Sequence, residues 1–392
     1  MFAARTDWNL AKNRYTEALE AMRASGAPLI DLTASNPTNI GLRYPEREIL
    51  EALAQPQSLV YDPKSRGLGV AREAVACYYA EQGVLISDED LVMTVSTSEA
   101  YAFCFRLLCD PGDEVLVPAP SYPLFEFLAQ LQDVKLVPYE LVYDHGWQIE
   151  IESLRSRITP RSRAILVVHP NNPTGHFTKP WELEILNKLC QYYGLAIIAD
   201  EVFLDYSMMM DKPLSFASNR GALTFTLSGL SKISGLPQMK VAWIGISGPE
   251  GLAQQADARM EMIADTYLSP STPAQLALPT LLDARRTVQY QLLDRIQQNL
   301  TELDKLLMSQ TACTRLDMEG GWYAVLRVPV TRSDEDLAIE LMQQERVLVH
   351  PGHFYDFPTD GFLVVSLIAP PIEFSLGVGR MLRHLLQTSA AE

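Results

Sequence analysis

Six short and almost uninterrupted apolar runs recur through the middle of the chain, at 91–95, 114–117, 164–168, 196–199, 223–227 and 241–246. Strands covered on both faces carry this pattern because neither side meets water, so the runs predict a largely parallel sheet layered with helices. Between the third and fourth, Leu183, Leu186, Leu189, Cys190 and Tyr193 fall on one helical face, with Pro180 near the start and Gly194 at the stop. Strand, helix and strand in that order make a β–α–β unit. The last hundred residues read differently. A long helical pattern at 283–307 is followed by a strand after Gly320 and Gly321, a helix at 334–345, two short strand-like runs and a final helix at 374–387. The prediction is an α/β fold. Its large domain, residues 49–282, is built on a mainly parallel sheet, and a smaller α+β domain forms from 1–48 together with 283–392.

Composition sharpens this picture. The chain has 392 residues, 47% of them hydrophobic and 20% charged, which is enough apolar material for a large core. A formal net charge of −16 argues against nucleic acid and anionic membrane as partners, since both are polyanions. It leaves room for a local basic pocket around a small anion. The cysteines (Cys77, Cys104, Cys109, Cys190, Cys313) are odd in number and contain no CxxC pair. They predict buried free thiols in a reducing compartment, with no disulfide and no metal site. The first residues carry charges throughout and lack the apolar core of a secretory signal, and no apolar stretch is long enough to span a bilayer. These features predict a cytoplasmic protein.

In an open α/β sheet, ligands bind beyond the carboxyl ends of the strands. Those ends read Ser96-Thr97-Ser98, Pro120-Ser121-Tyr122, the run from His169 to Gly175 (HPNNPTG), Asp200-Glu201, and Ser228-Gly229-Leu230-Ser231-Lys232, with Lys240 shortly after. They offer an anion cup at a helix N-terminus, an aromatic plate, an amide, a carboxylate and a lysine. That set suits a planar, phosphorylated ligand with a cationic ring, bound covalently through an amine.

The motifs TSEA, PSYP, NNPTG, ADEVF and SGLSK, in this order and register with the strands, resemble those of the fold-type I pyridoxal-phosphate enzymes, specifically the class I and II aminotransferases. The resemblance implies pyridoxal 5'-phosphate as cofactor and Lys232 as the amine of its Schiff base and the subsequent proton carrier. It places Asp200 on the pyridinium nitrogen, Asn172 on the ring oxygen and Tyr122 against the ring face. Thr97, Ser98 and Lys240 go to the phosphate, and Ser231 also binds the cofactor. Tyr61, in YDPKSRGLG, corresponds to a tyrosine that reaches the phosphate of a neighbouring subunit, which implies a homodimer. For Glu201 a structural role competes equally with a chemical one.

Four positions depart from the family pattern. Phe203 stands where many members carry a tyrosine donating to the ring oxygen. Lys240 replaces a phosphate-binding arginine and so lacks its two-pronged grip. Gly229 occupies a place where Ser or Thr is common, removing one hydroxyl. Val364, in FLVVSLI, stands where the family's arginine binds the substrate carboxylate. Arg43, Lys64, Arg66, His350 and His353 are the candidates to replace it, the two histidines being foremost because they flank a Pro-Gly turn at the family's active-site wall. The implied activity is an aminotransferase. It moves an amino group from an amino acid or amine to a 2-oxo acid through pyridoxamine phosphate, and ordinary aspartate and alanine are expected to be poor substrates. A lyase of the same fold, a C–S β-eliminase or a cyclopropane-forming synthase, is the alternative. A binding module with vestigial chemistry is a third reading, weakened by the retained Lys232, Asp200 and Asn172.

Overall fold

After the helix Arg14–Ala24 the polypeptide forms a short strand, β1 (Ile30–Asp31), and then builds an eight-stranded sheet. Its strands are β2 (Leu91–Thr94), β3 (Glu114–Ala119), β4 (Lys135–Tyr143), β5 (Trp147–Ile149), β6 (Ser162–Val168), β7 (Ala196–Asp200), β8 (Thr224–Gly229) and β9 (Ala242–Ser247). The computed structural model describes residues 1–389 apart from 124, 212 and 269.

The strand order is β2-β9-β8-β7-β6-β3-β4-β5. Neighbours from β8 through β7, β6 and β3 to β4 are parallel, whereas β9 runs against both β2 and β8, and β5 runs against β4. The sheet is thus mainly parallel with two reversed strands. Every residue of β7, β8 and β9 is buried, because helices lie on both faces. One apolar cluster joins the sheet to the helices Thr97–Leu108 and Glu250–Tyr267. Others fill the opposite face and continue beneath the C-terminal part. The helix Pro180–Tyr193 starts at its proline and stops at Gly194, which takes the left-handed conformation at φ 70°.

Beyond the helix Arg285–Leu307 come β10 (Thr314–Arg315), β11 (Tyr323–Arg327), β12 (Val347–Leu348), β13 (His350–Pro351) and β14 (Phe362–Ser366). Four of them form an antiparallel sheet in the order β10-β11-β14-β13. The N-terminal segment joins this part of the molecule: β1 pairs in parallel with β12, and the Tyr15 hydroxyl donates to the Val349 carbonyl at 3.0 Å. Among the described residues no helix is long and apolar enough to cross a membrane. Cys104, Cys190 and Cys313 are buried free thiols, while Cys77 is exposed because it lies on the outer side of the helix Gly69–Glu81.

Candidate active site

The carboxyl ends of β6, β7 and β8 bring Asn172, Asp200 and Lys232 to one rim of the sheet, where Lys232 and Asp200 feel each other's charge and Lys232 reaches Trp322 at the start of β11. β2 runs into the helix Thr97–Leu108 through Ser96. The Ser96 hydroxyl accepts the Glu99 N–H at 3.2 Å and so caps the helix. Thr97 and Ser98 open the first turn and are half-buried, with the positive end of the helix behind them.

β7 ends in Asp200, which is only 7% exposed. Its carboxylate accepts the Tyr101 hydroxyl at 2.7 Å and the Val202 N–H at 3.1 Å. Burial pushes its pKa up, while those two donors and the charge of Lys232 pull it down. Tyr101 was not among the residues singled out from sequence. Its signal is the spacing, since it sits four positions after Thr97 and therefore on the same helical face.

Lys232 lies in a one-turn helix, Leu230–Ile233, that follows β8 directly. The Tyr206 hydroxyl donates to its backbone carbonyl at 2.6 Å and fixes the turn. Lys232 Nζ stands 4.9 Å from the centre of the Trp322 ring, 5.6 Å from that of Phe203 and 3.5 Å from the Ser35 carbonyl. Aromatic faces attract the cation only modestly and exclude the water that would solvate it. Desolvation accordingly lowers its pKa to about 8, against a smaller opposing pull from Asp200. Trp322 escaped the sequence reading because GGWYAVLRV looks like an ordinary buried strand.

Asn172 is buried, and its side-chain Oδ1 has no hydrogen-bond partner among the described residues. Its neighbour Asn171 is engaged at both ends of its amide, accepting from Thr174 in its own loop and donating to Ser121 beyond β3. A buried amide end left unpaired calls for a ligand. Tyr122 presents a ring that is 42% exposed at the mouth of the cleft, with Phe125 edge-on 6.2 Å away. Ser231 is half-buried in the Lys232 turn. Lys240 is exposed, in a left-handed conformation at φ 52° just before β9, and forms no ion pair among the described residues.

Tyr61 stands apart, 77% exposed beside Leu59 and Val60, which are also on the surface. The loop after it needs Gly67, where φ is 87° and a Cβ would press on Met93.

The structure bears on three of these positions. Gly229 is more than a lost hydroxyl: a Cβ there would lie 2.8 Å from the Ala242 Cβ and 2.9 Å from the Val241 carbonyl. β8 and β9 approach too closely for any side chain at that point. Gly229→Ser is therefore expected to cost about 1–3 kcal/mol in a urea unfolding titration, rather than to tighten phosphate binding. Glu201 is structural, being buried and accepting the Ser215 hydroxyl at 2.6 Å and the Phe216 N–H at 2.5 Å; its pKa is pushed up to about 8, chiefly by that burial. Arg66 is committed elsewhere, paired with Asp257 and Glu261.

Of the other candidates to replace the arginine, Lys64 is exposed beside Asp62, and Arg43 and His353 are exposed, His353 in edge-on ring contact with Phe354. Val364 is fully buried. Phe203 is buried against Trp322 and lies close to Lys232, so no hydroxyl reaches the ring-oxygen side from that position.

The sequence matches the model of the family described as aminotransferase class I and II over residues 27–369. The chain belongs to the class I and II aminotransferases. Members of this family use pyridoxal 5'-phosphate. The buried acid, the desolvated lysine, the unpaired Asn172 amide and the exposed Tyr122 ring fit that group.

The aminotransferase is 28% identical over 363 residues to the glutamate-pyruvate aminotransferase AlaA of Haemophilus influenzae, covering 90% of this chain and 89% of that one. It is 29% identical over 360 residues to an alanine aminotransferase of Mycobacterium tuberculosis, covering 87% and 82%. The fold superposes on the solved alanine aminotransferase of Pyrococcus furiosus with a TM-score of 0.88, covering 99% of this chain and 100% of that one at 24% identity.

Proposed function

We propose that this aminotransferase moves an amino group from an amino acid donor to a 2-oxo acid, with Lys232 as the amine that holds the cofactor aldehyde. The observation that carries the reading is the pairing, in one cleft, of a desolvated lysine with a buried acid and an unsatisfied amide. When bound, pyridoxal phosphate supplies an electron-withdrawing ring that accepts the electron pair left at the substrate α-carbon after a proton departs.

The chain does the rest. Asp200 would face the ring nitrogen and keep its proton in place, because a buried carboxylate gains a counter-charge there. Asn172 would donate to the ring oxygen through its amide nitrogen, and Tyr122 would cover one ring face. Thr97 and Ser98 would hold the phosphate from the helix N-terminus, and Ser231 and Lys240 would complete the cofactor's set of contacts. Lys232, its pKa lowered to about 8 by desolvation, would take the proton from the substrate α-carbon and hold it for return. Aromatic walls at Phe203 and Trp322 keep water from that amine.

Tyr61 extends from one protomer to the phosphate site of its partner, which makes the active form a homodimer. Its exposure beside Leu59 and Val60 supports this, since apolar residues clustered on a surface favour burial at an interface. Residues 49–282 form the cofactor-binding domain, and 1–48 with 283–392 the smaller one that closes over it.

The test is a half-reaction. Holoenzyme mixed with a single amino acid is expected to convert its cofactor absorbance to that of the amine form and to release one equivalent of the 2-oxo acid. Release of ammonia with pyruvate, at unchanged cofactor absorbance, would identify an eliminating lyase instead.

A further inference from the structure

Three stretches of backbone from distant parts of the chain pack directly on one another. Residues 171–177 carry Asn172, residues 206–208 begin at the Tyr206 that holds the Lys232 turn, and residues 318–321 lead into Trp322. Two glycines let them touch. A Cβ on Gly175, where φ is 74°, would lie 2.6 Å from the Gly320 carbonyl oxygen, and one on Gly320 would lie 2.6 Å from the Tyr206 carbonyl oxygen. Backbone hydrogen bonds join the same stretches. The Glu319 N–H donates to the Gly175 carbonyl at 3.2 Å, the Met208 N–H to the Glu319 carbonyl at 2.8 Å, and the Gly321 N–H to the Tyr206 carbonyl at 2.9 Å.

The Glu319 side chain adds a tether to this junction. Its carboxylate accepts the Phe177 N–H at 3.0 Å and pairs with the Lys179 ammonium, and His176 Nδ1 stands 4.0 Å from it. Both members of the ion pair are half-buried, so salt screens them less than it would an open surface pair. The tethered loop is itself closed: the Asn171 N–H donates to the His176 carbonyl and the Gly175 N–H to the Asn171 carbonyl, each at 2.8 Å. A loosened tether would therefore shift the loop as a unit, with Asn172 inside it.

We propose that Glu319 is a positioning residue: through Phe177 and Lys179 it fixes residues 171–177 against the bend that carries Trp322, and so sets where the Asn172 amide stands relative to Lys232. The inference rests on the proposed cofactor placement, in which Asn172 donates to the ring oxygen. No hydroxyl reaches that oxygen from Phe203, so the bond from Asn172 matters more. Hydrogen bonds weaken steeply with misalignment, which makes the placement of this one amide consequential.

The test is a pH titration of the bound cofactor's absorbance in holoenzyme, applied to a double-mutant cycle. A donor on the ring oxygen stabilises its negative charge and loosens its hold on the proton shared with the linking nitrogen, which lowers the titration midpoint. Asn172→Ala is expected to raise the midpoint by about half to one unit, the worth of one hydrogen bond. Glu319→Ala is expected to raise it by about half a unit in the wild-type background and by less than about 0.2 unit once Asn172 is already Ala, because the two act in series. Glu319→Gln keeps an acceptor for the Phe177 N–H and is expected to stay closer to wild type. Lys179→Met breaks the tether from its other end and is expected to shift the midpoint in the same direction, again only while Asn172 is present. The backbone bonds of the junction do not use the substituted side chain, so the Glu319 variants are expected to unfold cooperatively in urea.

An equal shift from Glu319→Ala in both backgrounds would show a general loosening and overturn the inference, as would no shift in either, and both results would leave Asn172 in its place. An unmoved midpoint in Asn172→Ala would overturn it as well, and would also remove the ring-oxygen contact from the proposed cofactor placement.

Discussion

Lys232→Ala is expected to abolish the covalent link to the cofactor and to lower turnover by at least about 10⁴-fold, since both the attachment amine and the proton carrier are lost. After borohydride reduction, wild-type protein should gain the mass of the reduced cofactor on the peptide containing SGLSK, and the variant should gain none. The physical basis is the position of Nζ over Trp322 and Phe203, which desolvates the amine and brings its pKa to about 8. At pH 8 about half of such amines are neutral, against about one in three hundred for an ordinary lysine. The sign follows directly: a depressed pKa means the reactive neutral form is already abundant above pH 8. Cofactor uptake by the apoenzyme is therefore expected to accelerate with pH and level off just above 8, without climbing on toward 10.5. Lys240→Ala is the control; it should bind cofactor more weakly and keep the trapped adduct. A trapped adduct of undiminished yield in Lys232→Ala would assign the attachment to another residue.

Much of the fold was legible because its central strands are buried on both sides. β6, β7 and β8 carry no polar alternation to obscure their apolar runs, and the helix between β6 and β7 is bracketed by Pro180 and Gly194. The edge was harder to read. β4 is largely half-exposed, contains Pro138 and interleaves charged residues, so its pattern resembles a loop, and β5 has only three residues. The reversal of β9 left no mark either. A strand buried on both faces reads the same in either direction, and its polarity is set by the short Lys232 turn and the Lys240 bend that lead into it.

The candidate site divides along similar lines. Residues at strand ends were legible because topology alone brings Asp200, Asn172 and Lys232 to one rim of the sheet. Residues that act through them were not. Tyr101 lies inside a helix, Trp322 in the bend just before the strand β11, and Tyr206 reaches the Lys232 backbone across 26 positions. Each looks like core until the partner is seen. Gly229 shows the converse error, in which an apparent chemical loss is a packing requirement imposed by Ala242. Arg66 is a plausible anion ligand by charge, and only its contacts with Asp257 and Glu261 reveal that it braces the helix Glu250–Tyr267.

Asp200→Asn is expected to slow the half-reaction about 10²–10³-fold while leaving the cofactor bound and the fold intact, the range found when one preorganised electrostatic group is removed from a buried site. The substitution is nearly isosteric, and its amide oxygen can still accept from Tyr101 or from the Val202 N–H. What disappears is the negative charge proposed to hold a proton on the ring nitrogen. The acid is costly to bury alone: burial pushes its pKa up, and among its charged neighbours only Lys232 opposes that rise. A protonated ring nitrogen opposite it would supply the missing counter-charge, and the two groups would stabilise each other at a buried site. Tyr101→Phe removes one donor and keeps the charge, so it is expected to slow the same step by less than about tenfold. The two variants separate charge from hydrogen bonding. Exchange of the substrate α-proton with deuterated solvent, followed by mass spectrometry, reads the affected step directly and should fall in parallel with the single-turnover rate. Wild-type exchange in Asp200→Asn would mean that the ring nitrogen does not face this acid.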